Sequence, residues 1–300
     1  MMNDQAQALR RLVKSKRSDA NDAPPHEHPK SGGARVVTVT SGKGGVGKSN
    51  FTLNFALSLQ EAGYRTLVFD ADIGMANIDV LLGSPASSNL VHVVQQRKTL
   101  QDIIQIGPLG MHYIPGGSGF QDLLELPSEQ IDKLLTEMES WSERYDIILF
   151  DTGAGLSKET IRFILAADET FVVTTPEPTA IADAYALIKI VNGMGHGTDF
   201  RLVVNRAADW KEGSQTAERL SSVARRFLHQ SIPTLGVLYD DPHVMQAVKK
   251  QTPFCLLYPQ SKASLQIREL AKSYINGSDP AEPNGGVKQF IRNWLRRWSS

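Results

Sequence analysis

Apolar residues along the chain fall into two alternating patterns. Runs at residues 35–40 (RVVTVT), 65–70 (RTLVFD), 111–114, 145–151 (YDIILFD), 170–175 (TFVVTT), 200–205 (FRLVVN) and 234–238 are short and largely apolar, many of them β-branched, the pattern of strands buried on both faces. Between them, residues 49–62, 128–143, 158–167, 179–191, 214–229 and 261–275 read as helices with apolar positions on one side. This alternation predicts one α/β domain, a doubly wound, mostly parallel sheet flanked by helices. Two segments break the rhythm: residues 18–33, with Pro24, Pro25 and Pro29, and residues 277–286 (GSDPAEPNGG). Both read as flexible linkers. They divide the chain into a terminal element at 1–17, a domain at 34–276 and a second terminal element at 287–300.

Composition narrows the class. A chain of 300 residues can bury a sizeable core. Its 32 basic residues balance 32 acidic ones, which argues against a nucleic-acid platform spread over the whole surface. The single cysteine, Cys255, lies in an apolar stretch (PFCLLY) and reads as a small core side chain in a reducing cytosol. With no Cys-x-x-Cys, an iron–sulfur carrier is not expected, because such proteins need several thiolates. No apolar run is long enough to span a bilayer and the N-terminus lacks the apolar stretch of a secretion signal, so a cytoplasmic protein is expected.

The chemistry concentrates in residues 41–50, Ser-Gly-Lys-Gly-Gly-Val-Gly-Lys-Ser-Asn, between the first strand and the first helix. Gly44, Gly45 and Gly47 let backbone N–H groups turn inward and the helix start adds its positive dipole end. Lys48 is placed to reach the β- and γ-phosphates, and Ser49 offers a hydroxyl to Mg²⁺. The expected cradle spans Gly42, Lys43, Gly44, Gly45, Val46, Gly47, Lys48, Ser49 and Asn50. Lys43 is a second cation where a P-loop ordinarily carries shaping residues. Lys48 already serves the chain's own nucleotide, so the expected target of Lys43 is the nucleotide of a second copy. The loop thus predicts an ATPase that works as a face-to-face homodimer.

In such sheets ligands sit at the carboxyl ends of the strands. Asp70 and Asp72 follow the second strand, and Asp151 closes the fourth ahead of a small-residue turn with Gly155. Asp70, Asp151 and Ser49 are therefore expected around Mg²⁺, with Asp72 holding the attacking water. For any one of these aspartates alone, an N-cap or turn role is the alternative. Asn205 ends the sixth strand and can pair with an adenine edge, with Arg206 flanking the base; a plain strand-terminal turn is the alternative. Guanine readers carry Asn-Lys-x-Asp, but here Ala208 occupies the aspartate's place and Asp209 comes one residue late. ATP and ADP are favoured over guanine nucleotides.

The terminal elements are small and amphipathic. In VKQFIRNWLRRW, Val287, Phe290, Ile291, Trp294, Leu295 and Trp298 fall on one helical stripe, with Lys288, Arg292 and Arg296 opposite and Arg297 beside them. Tryptophan with a basic face suits an anionic membrane surface over residues 287–298; docking onto the chain's own core is the alternative. At the other end, Leu9, Leu12 and Val13 sit among Arg10, Arg11, Lys14, Lys16 and Arg17, a segment too short to be stable alone that is expected to fold on contact. His26 and His28 read as solvated linker residues. The segment PGGSGF at 115–120 reads equally as an ordinary turn or as part of a dimer face.

The pieces KGGVGKSN, DADIGMANID, DTGAG and VVNR, in this order and at these separations, resemble the deviant Walker A family of MinD and ParA ATPases over about residues 35–275. DQAQALRRLV, DIGMANIDVLLG and YPQSKASLQIRELA are similar to the branch of that family that regulates flagellar number. The resemblance implies Mg²⁺-dependent, dimerisation-activated ATP hydrolysis. It makes Lys43 the lysine acting across the dimer, Lys48 the P-loop lysine, Asp72 the water-positioning residue, Asp151 the Mg²⁺-side switch aspartate and Asn205 the adenine reader. Asp183 falls on a partner-binding helix by the same resemblance. Residues 1–17 become an activation segment for an FlhF-type signal-recognition-particle GTPase, and residues 287–300 a membrane-targeting helix that binds reversibly to the inner face of the cell membrane. Flagellar C-ring components are further implied partners, and no specific DNA binding is expected. A MinD-type division-site regulator, a ParA-type DNA-partitioning ATPase and a non-hydrolysing adaptor are the rival readings.

Overall fold

The computed structural model describes residues 33–72, 77–86, 88–116, 128–195, 197–277 and 286–296. The element at 1–17, its linker with His26 and His28, positions 117–120 and 297–300, Arg297 and Trp298 included, lie outside the described residues.

Strand β1 (Arg35–Thr40) leads into helix α1 (Lys48–Glu61), and β2 (Thr66–Ala71) into the short helices α2 (Ile78–Leu81), α3 (Leu90–Val94) and α4 (Leu100–Ile103). An edge strand β3 (Gln105–Ile106) and β4 (His112–Ile114) precede α5 (Ser128–Glu139) and α6 (Trp141–Arg144). Regular alternation follows: β5 (Ile147–Thr152), α7 (Lys158–Ala166), β6 (Glu169–Thr174), α8 (Pro178–Gly193), β7 (Phe200–Ala207), α9 (Trp210–Leu228) and β8 (Thr234–Tyr239). Last come α10 (Pro242–Lys249), α11 (Phe254–Leu257), α12 (Lys262–Gly277) and α13 (Gly286–Arg296).

The strands form one sheet in the order β3-β4-β2-β5-β1-β6-β7-β8, parallel throughout except where β3 meets β4. This is the doubly wound, mostly parallel sheet that the alternation predicted. Period-two alternation along each strand divides the core between its faces. Val37, Val39, Leu149, Phe171 and Val173 pack with α1 and α12, where Phe51, Phe55 and Tyr274 contribute rings. Val36, Ile148 and Phe150 point the other way, toward Trp141, Phe163 and α13. Further along that face, Val172, Leu202 and Val204 pack on α8 and α9. The central strands put β1, β2 and β5 side by side, so the loops after them converge at one edge of the sheet.

Two differences from the sequence reading have local causes. Helix α9 begins at Trp210, ahead of the expected 214, because the Asp209 carboxylate accepts the Glu212 N–H at 2.8 Å and caps it. Helices α2, α3, α4, α10 and α11 were not predicted, since segments of four to eight residues carry too little periodicity to be read.

The C-terminal helix forms, but Val287, Phe290 and Ile291 of its apolar stripe are covered. All three are buried among the sheet residues named above, and the Phe290 ring stacks 4.5 Å from Phe150. Trp294 lies 5.6 Å from the Phe163 ring, and Lys288 pairs with Glu139 at 3.3 Å. The docked arrangement, the alternative at the sequence level, is the one adopted here. Its physical reason is the apolar surface of Phe150 and Phe163, which would otherwise lose its cover on that side.

Candidate nucleotide-binding site

The turn from β1 into α1 forms the wall of a cavity of about 750 Å³. Ser41, Gly44, Gly45, Val46, Gly47, Lys48, Ser49 and Asn50 line one side, and Asp72, Asn77, Val80, Leu81, Gly153, Ala154 and Val248 are among those that line the rest. Gly47 takes φ 91° as it opens the helix, and a Cβ there would lie 2.4 Å from the Asn205 side-chain nitrogen. Gly42 is equally constrained, because a Cβ would lie 2.2 Å from the backbone of Asp183 on α8. The loop is therefore wedged between β7 and α8, with only glycine admitted at both contacts. The Gly155 N–H donates to the Ser41 carbonyl at 2.8 Å, tying the DTGAG turn to the start of the loop.

Lys48 is buried and donates to Asp151 Oδ1 at 2.8 Å, an oxygen that also accepts from the Thr52 hydroxyl at 3.0 Å. The other carboxylate oxygen, Asp151 Oδ2, is buried without a hydrogen-bond partner. An orphaned carboxylate oxygen beside a lysine, with the glycine loop and Ser49 on the cavity wall, fits a phosphate-bound divalent cation or one of its waters. Asp151 and Ser49 are the residues that would hold it.

Asp72 lines the cavity as expected. Asp70 does not. Its carboxylate is fully buried and accepts the N–H groups of Asp72 at 3.2 Å, Asn77 at 2.8 Å and Ile78 at 3.0 Å. The expectation that Asp70 reaches Mg²⁺ is corrected: it serves backbone groups beneath the cavity floor, close to the turn role that a strand-end aspartate takes when alone. Burial and the neighbouring Asp151 carboxylate push Asp70 up to about 7 from 3.8, despite those three donors. A carboxyl raised in the folded state contributes stability that is complete below about 4 and lost as pH rises through about 7. Nucleotide-free protein should thus melt at a higher temperature at acidic than at alkaline pH across this range. Asp70→Asn should flatten that slope, and an unaltered slope in the variant would contradict the assignment.

Asn205 takes part in the architecture of the loop. Its side-chain nitrogen donates to the Val46 carbonyl at 2.8 Å and its oxygen accepts the Arg206 N–H at 3.0 Å. Each end of the amide thus braces the loop with one hydrogen bond, and one N–H and one lone pair remain beyond these contacts. The neighbouring cleft of about 290 Å³ is lined by Thr175, Pro176, Glu177, Arg206, Glu212 and Asp240. Arg206 takes φ 59°, with its guanidinium 3.6 Å from Asp240.

Lys43 does not line the cavity. Its ammonium donates to Glu177 at 2.9 Å and to the Thr179 hydroxyl at 3.0 Å, both at the start of α8, and the pair is open to solvent. The hydrogen bond from Lys43, and then its charge, hold the Glu177 carboxyl below its usual range. Glu177 and Thr179 were missed at the sequence level, although TTPEPT follows directly on a buried strand, where functional residues collect.

Glycine loop, buried lysine–aspartate pair and strand-end carboxylates on a doubly wound sheet define a P-loop nucleoside triphosphatase. The ParA family model described as NUBPL iron-transfer P-loop NTPase matches residues 33–275. The antiactivator FleN of Pseudomonas aeruginosa is 39% identical over 263 residues, covering 87% of this chain and 94% of the relative. The flagellum site-determining protein YlxH of Helicobacter pylori is 35% identical over 302 residues, covering 98% and 99%. Among solved structures, MinD of Pyrococcus horikoshii complexed with Mg-ADP superposes with a TM-score of 0.65 at 24% identity, over 80% of this chain and 95% of that one. The chain belongs to the ParA/MinD family of P-loop ATPases, in its FlhG branch, also called FleN or YlxH, and it hydrolyses ATP. Iron transfer does not follow from the family model's description: the chain's only cysteine, Cys255, is buried.

Proposed function

We propose that this ATPase is a nucleotide-timed switch for flagellar number or placement. ATP and Mg²⁺ fix a homodimer in which each protomer lends Lys43 to its partner's triphosphate, and ADP releases it. The observation that carries this reading is the position of Lys43: outside its own cavity, yet beside it and held by a solvent-exposed ion pair. Such pairs contribute little, so the ammonium can be surrendered to a stronger anion. In this reading Lys48 and Mg²⁺, held by Ser49 and Asp151, bear on the phosphates from the same subunit, and Asp72 orients the water. The Mg-ADP bound to the Pyrococcus MinD relative supports these ligands.

Membrane attachment supplies the output. The same Val287, Phe290 and Ile291 that dock on the core would have to face lipid, so α13 cannot do both at once. Burying three such side chains is worth roughly 1.5–3 kcal/mol each. Ordering the eleven residues of α13 costs about 1–2 kcal/mol per residue. The ordering cost exceeds what these three side chains alone return, which makes the helix releasable. A dimer then offers two helices at once, and linked engagement turns marginal lipid affinity into recruitment at the cytoplasmic face.

Residues 1–17 act on an FlhF-type GTPase, and flagellar C-ring components are further partners. The name of the YlxH relative, a flagellum site-determining protein, supports a flagellar setting. A peptide of residues 1–20 should accelerate GTP hydrolysis by an FlhF-type GTPase, measured as phosphate release. No acceleration, with the full chain active in the same assay, would remove the role of this segment.

A further inference from the structure

We propose that Asp70 is a positioning residue for ATP hydrolysis, a pin that closes the neck of the loop presenting Asp72. The inference rests on the reading of Asp72 as the residue that orients the attacking water.

Strand β2 ends at Ala71, and Asn77 stands directly ahead of α2, which begins at Ile78. Both shoulders reach the cavity: Ala71 and Asp72 on the outgoing side, Asn77, Val80 and Leu81 on the returning side. The Asp70 carboxylate spans the gap between them. Oδ1 takes the Asp72 N–H at 3.2 Å, while Oδ2 takes those of Asn77 at 2.8 Å and Ile78 at 3.0 Å. One side chain thus sets the distance between the residue expected to meet the water and the helix that walls the cavity.

The pin is itself fixed from below. A Cβ on Gly116 would lie 2.6 Å from the Asp70 carbonyl oxygen and 2.9 Å from its carboxylate carbon, so the carboxylate is boxed in on that side. A carboxylate accepts with both oxygens, as the three N–H contacts show. An asparagine in the same space offers one oxygen only and turns an NH₂ group against an N–H donor. One shoulder of the loop would then come free. Misplacement of a reacting group by about 1 Å can lower turnover about 10²-fold.

The test is the ATPase activity of full-length Asp70→Asn beside Asp72→Asn, with kcat, ATP affinity and the Mg²⁺ concentration for half-maximal rate measured for each. A positioning residue predicts for Asp70→Asn a fall in kcat of about 10²-fold, with ATP affinity and Mg²⁺ half-saturation unchanged. A raised Mg²⁺ half-saturation would make Asp70 a metal ligand and overturn the proposal, as would an unchanged kcat. Full turnover by Asp72→Asn would instead sink the reading of Asp72, a separate failure. Should Asp70→Asn not fold, amide exchange in the native protein decides. Protected Asn77 and Ile78 amides support the pin, and exchange at the rate of an open loop overturns it.

Discussion

A Lys43→Ala protein should bind ATP about as well as the parent yet hydrolyse it about 10³-fold more slowly, the loss seen when a transition-state cation is withdrawn from phosphoryl transfer. It should also remain monomeric by light scattering with ATP present. Both effects follow from geometry. The lysine is absent from the wall of its own cavity, so its removal leaves the cradle of Gly44 to Asn50 intact. Its ammonium is held by Glu177 and Thr179 of the same chain, outside the cavity lining. Lys48→Ala should behave differently and lose nucleotide affinity itself, because Lys48 lines the cavity and pairs with the buried Asp151. Normal dimerisation and turnover by Lys43→Ala would end the account.

Deleting residues 286–296 and beyond should abolish ATP-dependent sedimentation with anionic vesicles while leaving dimer formation in solution unchanged. With both anchors gone no helix-borne lipid affinity should remain, whereas a dimer keeping a single helix should bind about 10²–10⁴ more weakly than the parent. The docked helix sharpens the expectation. Loosening its seat with Phe163→Leu, a ring 6.2 Å from Phe290, should favour release and raise vesicle binding in ADP. Phe290→Ala should weaken docking and lipid binding together. Opposite responses from the two sides of one contact would separate a switch from a permanently seated helix, and sedimentation that ignores the nucleotide would contradict the coupling.

The sheet and its long helices were legible because β-branched runs such as RVVTVT and YDIILFD cannot be mistaken for helix surface, and because the glycine loop falls between a strand and a helix. The cavity-lining residues of the loop and Asp72 were legible for the same reason. Side-chain direction was not. Asp70 and Asp72 differ in sequence by a single intervening residue, but one points beneath the floor and the other into the cavity, a distinction set by where Asn77 and Gly116 return in space. Asn205 was read from its place at a strand end, whereas its partner, the Val46 carbonyl, lies 159 residues away. The apolar stripe of α13 was correct as a pattern. Whether it meets lipid or Phe150 depends on a surface that only the folded chain assembles.

The most direct test of a lysine shared across the dimer is the ATPase rate of Lys43→Ala protein mixed with Asp72→Asn protein. Each is expected to be inactive alone, for different reasons. In a mixed dimer the Lys43→Ala protomer keeps its own Lys48 and Asp72 and receives the missing ammonium from its neighbour, so one of the two sites is complete. The account predicts that turnover reappears on mixing and peaks near equal proportions. Silence at every ratio, with mixed dimers demonstrably present, would contradict it.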